Sequence, residues 1–168
     1  MGRVQQSFIN GYPGAVSRSI DDVIISIRNA SGADIAYGTP LFITNDGAAP
    51  FDLSSPQDFD DFLGFAVAPN DKTPYEYQET QHAQQFSQQS VWKAGDVMEV
   101  LVRGSIVIRM ATAALFGDKI YLRKSDGQLT PNPGTSGTTI CLENVRVRGT
   151  RDTLNSATEV VVTERNVL

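Results

Sequence analysis

The chain has 168 residues, of which 40% are hydrophobic and 20% are charged, and its formal net charge is -5. This length and composition predict one globular domain, and the acidic balance argues against sequence-independent binding of nucleic acid, which requires clustered Lys and Arg. We also expect neither a membrane span nor a signal peptide, because no apolar run approaches roughly 20 residues and the N-terminus lacks an apolar stretch.

The first 20 residues show neither helical nor strand periodicity, and glycine and proline interrupt them. We predict an extended N-terminal arm over residues 1–20. Because the arm is too apolar for a purely solvated tail, we expect it to lie on its own domain or on a neighbouring subunit, with disorder to about Ser19 as the alternative. Its large apolar side chains are Phe8, Ile9, Tyr12 and Val16.

The segment after the arm is rich in β-branched residues, which favour strand over helix. It runs from Ile20 to Arg28 and ends in turn residues at 29–34. A second strand is predicted over Pro40 to Thr44, and the sequence Asn45-Asp46-Gly47 after it is a turn signal. This part of the chain is typical of a β-meander.

One short helix is predicted from Pro56 to Phe62. Ser55 stands at the N-cap position, Pro56 at the first helical position, and Asp58 where a carboxylate meets exposed backbone amides. Phe59, Phe62 and Leu63 would then face the core, and a strand would follow from Gly64 to a stop at Pro69.

Residues 70–92 form a polar, glutamine-rich excursion that contains His82, the only histidine. Loops of more than about 12 to 15 residues are usually functional or disordered, so we interpret this segment as a contact surface or a disordered loop. Its large apolar anchors are Tyr75, Tyr77 and Phe86.

A glycine stands just ahead of a short β-forming run at three places, Gly38, Gly95 and Gly117. After Gly95 we predict two strands, 97–102 and 106–110, separated by a turn at 103–105. Final strands are predicted over 139–148 and 157–163. Eight to ten short strands favour an all-β sandwich or barrel-like domain over residues 21–168, of β-tulip or jelly-roll type.

Groups that carry chemistry do not form a recognisable constellation. Four aspartates could suggest a cation or acid/base site, but three of them suit the first turn of the predicted helix. Cys141 is interpreted as a buried small side chain, and His82 has no orienting partner or metal-ligand spacing. We therefore predict no catalytic, metal or cofactor site. The aspartates are Asp52, Asp58, Asp60 and Asp61.

Several arginines occupy outer positions of predicted strands. They are interpreted as a solvated face, with pairing across a subunit boundary as the alternative. They are Arg103, Arg109, Arg123, Arg146 and Arg148.

The order of these motifs resembles that of the head cement or decoration proteins of tailed bacteriophages over residues 30–165. The motifs in order are Ala36-Tyr37-Gly38-Thr39-Pro40, Leu63-Gly64-Phe65-Ala66-Val67, Ala94-Gly95-Asp96 with its strand, and Gly117-Asp118-Lys119 with its strand. The resemblance implies an all-β protein without enzymatic activity, usually a trimer, on the outside of the capsid shell, where it braces the major capsid protein.

We therefore expect a homotrimeric capsid decoration protein, assembled in the host cytoplasm and located on the virion exterior. Membranes and nucleic acid are not expected partners. The predicted capsid or subunit contacts are Phe8, Ile9, Tyr12, Val16, Tyr75, Tyr77 and Phe86. The alternatives are another phage β-module, in the tail or baseplate or binding host glycans through Tyr75, Tyr77 and Trp92, and, least favoured, a trimeric β-fold hydrolase.

Overall fold

Eleven strands account for the regular structure of the residues that the structure describes. The computed structural model describes residues 13–54, 57–69, 91–149 and 157–166, and no residue within those ranges is helical. The strands are β1 (Val16–Arg28), β2 (Ile35–Ala36), β3 (Pro40–Thr44), β4 (Gly47–Pro50), β5 (Phe62–Ala66), β6 (Val91–Trp92), β7 (Val97–Arg109), β8 (Lys119–Arg123), β9 (Leu129–Thr130), β10 (Thr139–Val147) and β11 (Ala157–Val162).

Nine of these strands form one antiparallel sheet in the order β4-β3-β5-β7-β11-β10-β8-β9, with β1 paired to β7, and the other two, β2 and β6, pair with each other. The large sheet curls into a half-barrel. This confirms the predicted all-β class with a sandwich-like or barrel-like domain. β1 begins at Val16, so the last five residues assigned to the arm lie in a strand.

β7 is the hub of the sheet. It pairs with β1 along most of its length, with β5 at Val100 and Leu101, and with β11 from Gly104 to Arg109. The prediction of two strands separated by a turn at 103–105 was wrong, because these residues continue one strand of 13 residues. The backbone groups around Gly104 find partners in β1 and β11, and those distant strands keep the chain extended.

An irregularity in β1 lies opposite Gly104 and explains why glycine stands there. Arg18 pairs with Ser105 and Val23 with Arg103, so residues 19–22 of β1 bulge opposite Gly104. The φ angle of Gly104 is 121°, and a Cβ atom at this position would overlap the Asp22 carboxylate. Bulges of this kind bend the strand that carries them, here β1, and the missing side chain of Gly104 leaves room for the bulge.

Hydrophobic clusters cover both faces of the sheet, because successive side chains of a strand point to opposite faces. In β7, Leu101 belongs to the larger cluster, while Val100 and Val102 belong to the smaller one. The larger cluster contains Phe42, Phe62 and Phe65 in edge-to-face contact, with ring centroids 5.8 Å apart for Phe42–Phe62 and 5.4 Å for Phe62–Phe65. The smaller cluster joins residues of β2, β3, β4, β5 and β7.

The predicted helix at 56–62 is wrong for the residues that the structure describes there. The Asp58 Oδ1 atom accepts a hydrogen bond from the Asp60 amide (2.9 Å), and Asp61 Oδ2 accepts one from the Asp58 amide (3.1 Å). These side chains compete with helical hydrogen bonds, and a segment this short does not offset the cost of helix nucleation. The inward direction of Phe62 and Leu63 is nevertheless correct, since both are buried.

Candidate functional site

The acidic residues considered as a cation or catalytic site stabilise local turns instead. The Asp52 carboxylate accepts hydrogen bonds from the hydroxyl and amide of Ser54, which lower the pKa of Asp52. Asp58 and Asp61 accept backbone amides as described above. Within the described residues no group of three or more His, Cys, Asp and Glu side chains is arranged to hold a metal ion.

Cys141 and Trp92 are placed by the sheet. Cys141 lies in β10 opposite Tyr121 and is half-buried rather than buried. Trp92 meets Tyr37 edge to face with ring centroids 6.0 Å apart, and its indole Nε1 donates to the carbonyl of Val67 (2.8 Å). The indole is therefore engaged with the chain's own core, as its position beside a strand predicts. His82 lies outside the described residues.

Most of the outer arginines bind acceptors within the chain. Arg103 pairs with Asp21 (2.6 Å), and Arg123 pairs with Asp126. Arg146 donates hydrogen bonds to the carbonyls of Glu143 and Val145, and Arg148 donates one to the Ser105 hydroxyl. Their intramolecular contacts favour the interpretation as a polar face over pairing across a subunit boundary.

The segment that leads from the arm into β1, which we call the arm root (Pro13–Ala15), is fixed tightly to the domain. Pro13 and Gly14 are buried. Gly14 donates to the carbonyl of Val107 (2.8 Å) and accepts from the amide of Ala68 (2.9 Å), and the carbonyl of Ala15 accepts from Val107 (2.9 Å). A Cβ atom on Gly14 would lie 2.6 Å from that of Tyr37, so this close approach requires glycine.

Val16 is the only predicted contact residue within the described ranges. It is half-buried and packs against the larger hydrophobic cluster, where it pairs with Ile106 of β7. The other six predicted contacts, Phe8, Ile9, Tyr12, Tyr75, Tyr77 and Phe86, lie outside the described residues.

The segment between β7 and β8 presents two large apolar side chains to solvent. Leu115 is 72% exposed and Phe116 is 76% exposed. Neither residue is among the contacts predicted from the sequence. The available signal was a Leu-Phe pair directly before a turn glycine, Gly117, because the central positions of a turn point away from the core.

An acidic site of a different kind lies at the bulge of β1. The Asp22 Oδ1 atom accepts from the amide of Ser105 (3.3 Å), while Oδ2 is buried and has no hydrogen-bond partner among the described residues. Burial raises the pKa of Asp22, the Ser105 amide lowers it, and the neighbouring charge of Asp21 raises it further. This site is structural, because its contacts all belong to the β1–β7 pair.

Comparison with known proteins gives a consistent result. Residues 3–166 match the family described as structural cement protein (E217 gp24/Pam3 gp6). A solved structure described as the capsid of Myoviridae phage XM1 contains a chain of the same fold, with a TM-score of 0.67 and 14% sequence identity over 95% of this chain and 99% of that chain.

No curated protein matches the sequence. The described residues contain no helix long and apolar enough to cross a membrane. The chain belongs to the structural cement protein family and is a capsid-stabilising structural protein of the bacteriophage virion.

Proposed function

We propose that the protein binds the outer surface of the phage head as a homotrimer and bridges neighbouring subunits of the major capsid protein. It does so without catalysis, after assembly in the host cytoplasm. The match to the cement family over residues 3–166 is the observation that carries this proposal.

The arm root supports a mechanical role for the arm. Its hydrogen bonds to Val107 and Ala68 connect it directly to the sheet. An arm held in this way transmits force to the β-domain when its outer part is bound. We therefore assign the first capsid contact to Phe8, Ile9 and Tyr12 of the arm, and a further contact to the excursion at 70–92 through Tyr75, Tyr77 and Phe86.

A cementing function requires many modest contacts rather than one strong one. Linked binding sites raise overall affinity by about 10² to 10⁴ without any new contact, because the second attachment is intramolecular. A trimer on a symmetric shell has this advantage, and each protomer then contributes only a small apolar area.

The proposal is tested by mixing purified protein with heads that lack it and imaging the particles. We expect added density on the outer surface between capsomers, with three-fold symmetry, and a trimer mass in solution. Bare shells at saturating protein concentration would refute the function, while bound density without three-fold symmetry would refute only the trimer.

The arm contact is tested with the triple change Phe8→Ser, Ile9→Ser and Tyr12→Ser. We expect at least a tenfold loss of affinity for heads, since three large apolar side chains are removed. The matched control is Gln5→Ser with Gln6→Ser, in the same arm. Equal binding by both variants would contradict the assignment.

A further inference from the structure

A rigid apolar projection stands on the loop between β7 and β8, and its residues are Leu115 and Phe116. Their exposed fractions, 72% and 76%, are the highest among the exposed large hydrophobic residues of the described chain. Phe116 is also the one aromatic residue in that group. Exposed aromatic side chains of this kind are typical anchors of protein interfaces.

Hydrogen bonds within the turn and to β10 hold the projection in place. The Asp118 amide donates to the Leu115 carbonyl (3.1 Å), and the Leu115 amide donates to the Asp118 carboxylate (2.8 Å). Gly117 has a φ angle of 87°, as the third residue of a type II turn requires. The turn is tied to β10, because the Gly117 amide donates to the Val147 carbonyl (2.8 Å) and the Val147 amide to the Asp118 carbonyl (3.0 Å).

The hydrogen bonds among these four residues make the projection preorganised. Binding through it orders two side chains and leaves the backbone as it is, so little conformational entropy is lost on association. The same apolar pair on a loop without these hydrogen bonds would bind more weakly for the same contact area.

The projection and the arm root leave the sheet at the same level. One row of paired residues crosses the sheet from Val16 through Ile106 and Val160 to Val147. With neighbouring strands about 4.8 Å apart, the arm root and the turn are about 20 Å apart along the sheet. This separation lies within the width of one interface of about 800 Å².

The size and shape of the projection decide between partners. Two side chains of this kind offer on the order of 300 Å², whereas a stable pair of proteins buries about 800 Å² on each partner. A small convex projection instead suits a concave apolar pocket on a partner that is held at several points.

We propose that the Leu115–Phe116 turn inserts into an apolar pocket of the major capsid protein and forms a second, preorganised contact beside the arm. This inference rests on the proposed function and assigns residues to it. The arm supplies an extended contact, and the turn supplies a fixed one.

The test uses a double variant that carries Leu115→Ser and Phe116→Ser in one chain. Its matched control is a second double variant, which carries Leu53→Ser and Val97→Ser. The control residues are 67% and 65% exposed and lie in other parts of the molecule. Binding to heads that lack the protein is measured by co-sedimentation over a range of concentrations. We expect at least a tenfold weaker binding for the turn variant and less than a twofold change for the control.

Thermal unfolding and native mass are measured on the same samples. Because both side chains are exposed, we expect the unfolding temperature to stay within about 2 °C of the wild type. Turn and control variants that bind heads equally well would overturn the inference while leaving the function intact. A turn variant that loses self-association would assign the turn to a second copy and would also overturn it. Wild-type protein that fails to bind heads would instead refute the proposed function.

Discussion

The two hydrophobic clusters on the faces of the sheet are built differently. The larger one is a continuous apolar core with a group of phenylalanines, and it draws on strands from β3 to β11. The smaller one is closed at its margin by polar contacts, namely those of Asn29, the Lys93–Asp34 ion pair and the Trp92 indole. Packed aromatic rings dominate the first, whereas specific hydrogen bonds close the margin of the second.

This difference coincides with the attachment of the segments assigned to binding. The arm root approaches Tyr37 and Ala68, and the excursion at 70–92 departs after Pro69 and returns at Val91 in β6. Both attachments lie beside Trp92, which packs against the smaller cluster and meets Tyr37 edge to face. The arm continues into Val16, which packs against the larger cluster, so the attachments lie where the two clusters approach each other.

Removing Phe62 from the larger cluster is expected to have the largest effect. Phe62 is fully buried and contacts the rings of Phe42 and Phe65. We expect Phe62→Ala to lower the free energy of unfolding by about 4 kcal/mol, because the deletion leaves a cavity. Phe116→Ala makes the same chemical change at an exposed site and should stay within about 0.5 kcal/mol in urea unfolding. Equal losses of unfolding free energy for the two variants would contradict the placement of Phe62 in the core and of Phe116 on an exposed turn.

Asn29→Ala tests the polar margin of the smaller cluster. The buried Asn29 amide donates to the carbonyls of Ala33 (2.9 Å) and Lys93 (3.0 Å), and its oxygen accepts from the Ser31 amide. The change leaves the Ser31 amide without its acceptor and removes a donor from each of the two carbonyls, which keep only the Ser31 hydroxyl and the Asp96 amide. We therefore expect a loss of about 3 kcal/mol in the free energy of unfolding. The exposed Asn132 provides the control, with less than about 0.5 kcal/mol expected for Asn132→Ala. A loss at Asn29 no larger than that of the control would show that the margin depends on burial alone.

Gly104→Ala tests the close approach of β7 to the bulge of β1. We expect a loss of about 2 kcal/mol from the positive φ angle and from overlap with Asp22. Gly32 also has a positive φ, but a Cβ atom there meets nothing within 4 Å. Gly32→Ala therefore isolates the φ cost, and urea unfolding should show a smaller loss. Equal losses of unfolding free energy for the two variants would mean that the Asp22 side chain moves aside without destabilising the fold.

The pH dependence of Asp22 is the smallest expected effect. Burial raises its pKa above the ordinary value of 3.8, so between the unfolded and folded pKa values the folded state binds more protons. Stability from this group is therefore full below pH 3.8 and is lost as pH rises through the folded pKa. Asp22→Asn should remove this dependence of the unfolding free energy on pH, measured in unfolding scans from pH 3 to 7.

Asp52→Asn is the control of opposite sign. Hydrogen bonds from Ser54 lower the pKa of Asp52, so its contribution is present above pH 3.8 and is lost as pH falls through the folded pKa. If both variants changed the slope in the same direction, burial would not be the cause at Asp22.

Much of the fold follows from local sequence, and the exceptions depend on distant contacts. Pro40 to Thr44 was predicted to the residue, because β-favouring residues lie between turn signals that act locally. The continuity of β7 through Arg103-Gly104-Ser105 was not predicted, because its partner strands β1 and β11 are far from it in the sequence. The helix at 56–62 failed because Asp58 and Asp61 supply the hydrogen bonds that a helix would have used.

The candidate site was less accessible from sequence. The order of the glycine-led runs indicated the cement family, which the family match confirms. The Leu115–Phe116 turn was missed because an apolar pair in a connection between strands does not show by itself whether it is exposed. Its exposure is set by the bonds between Gly117, Asp118 and Val147, of which the local sequence signals only the turn glycine. The contacts assigned to the arm and to residues 70–92 stay predictions.

The hydrogen bonds of the arm root have a mechanical consequence. Gly14 bonds to Val107, which follows Gly104 in β7, and to Ala68, whose neighbour Val67 donates to Glu99, which precedes Gly104. A pull along β1 therefore loads β7 on both sides of Gly104, and the bonds of the β1–β7 ladder resist in shear rather than opening one after another. The arm root can bear load without first separating from the sheet.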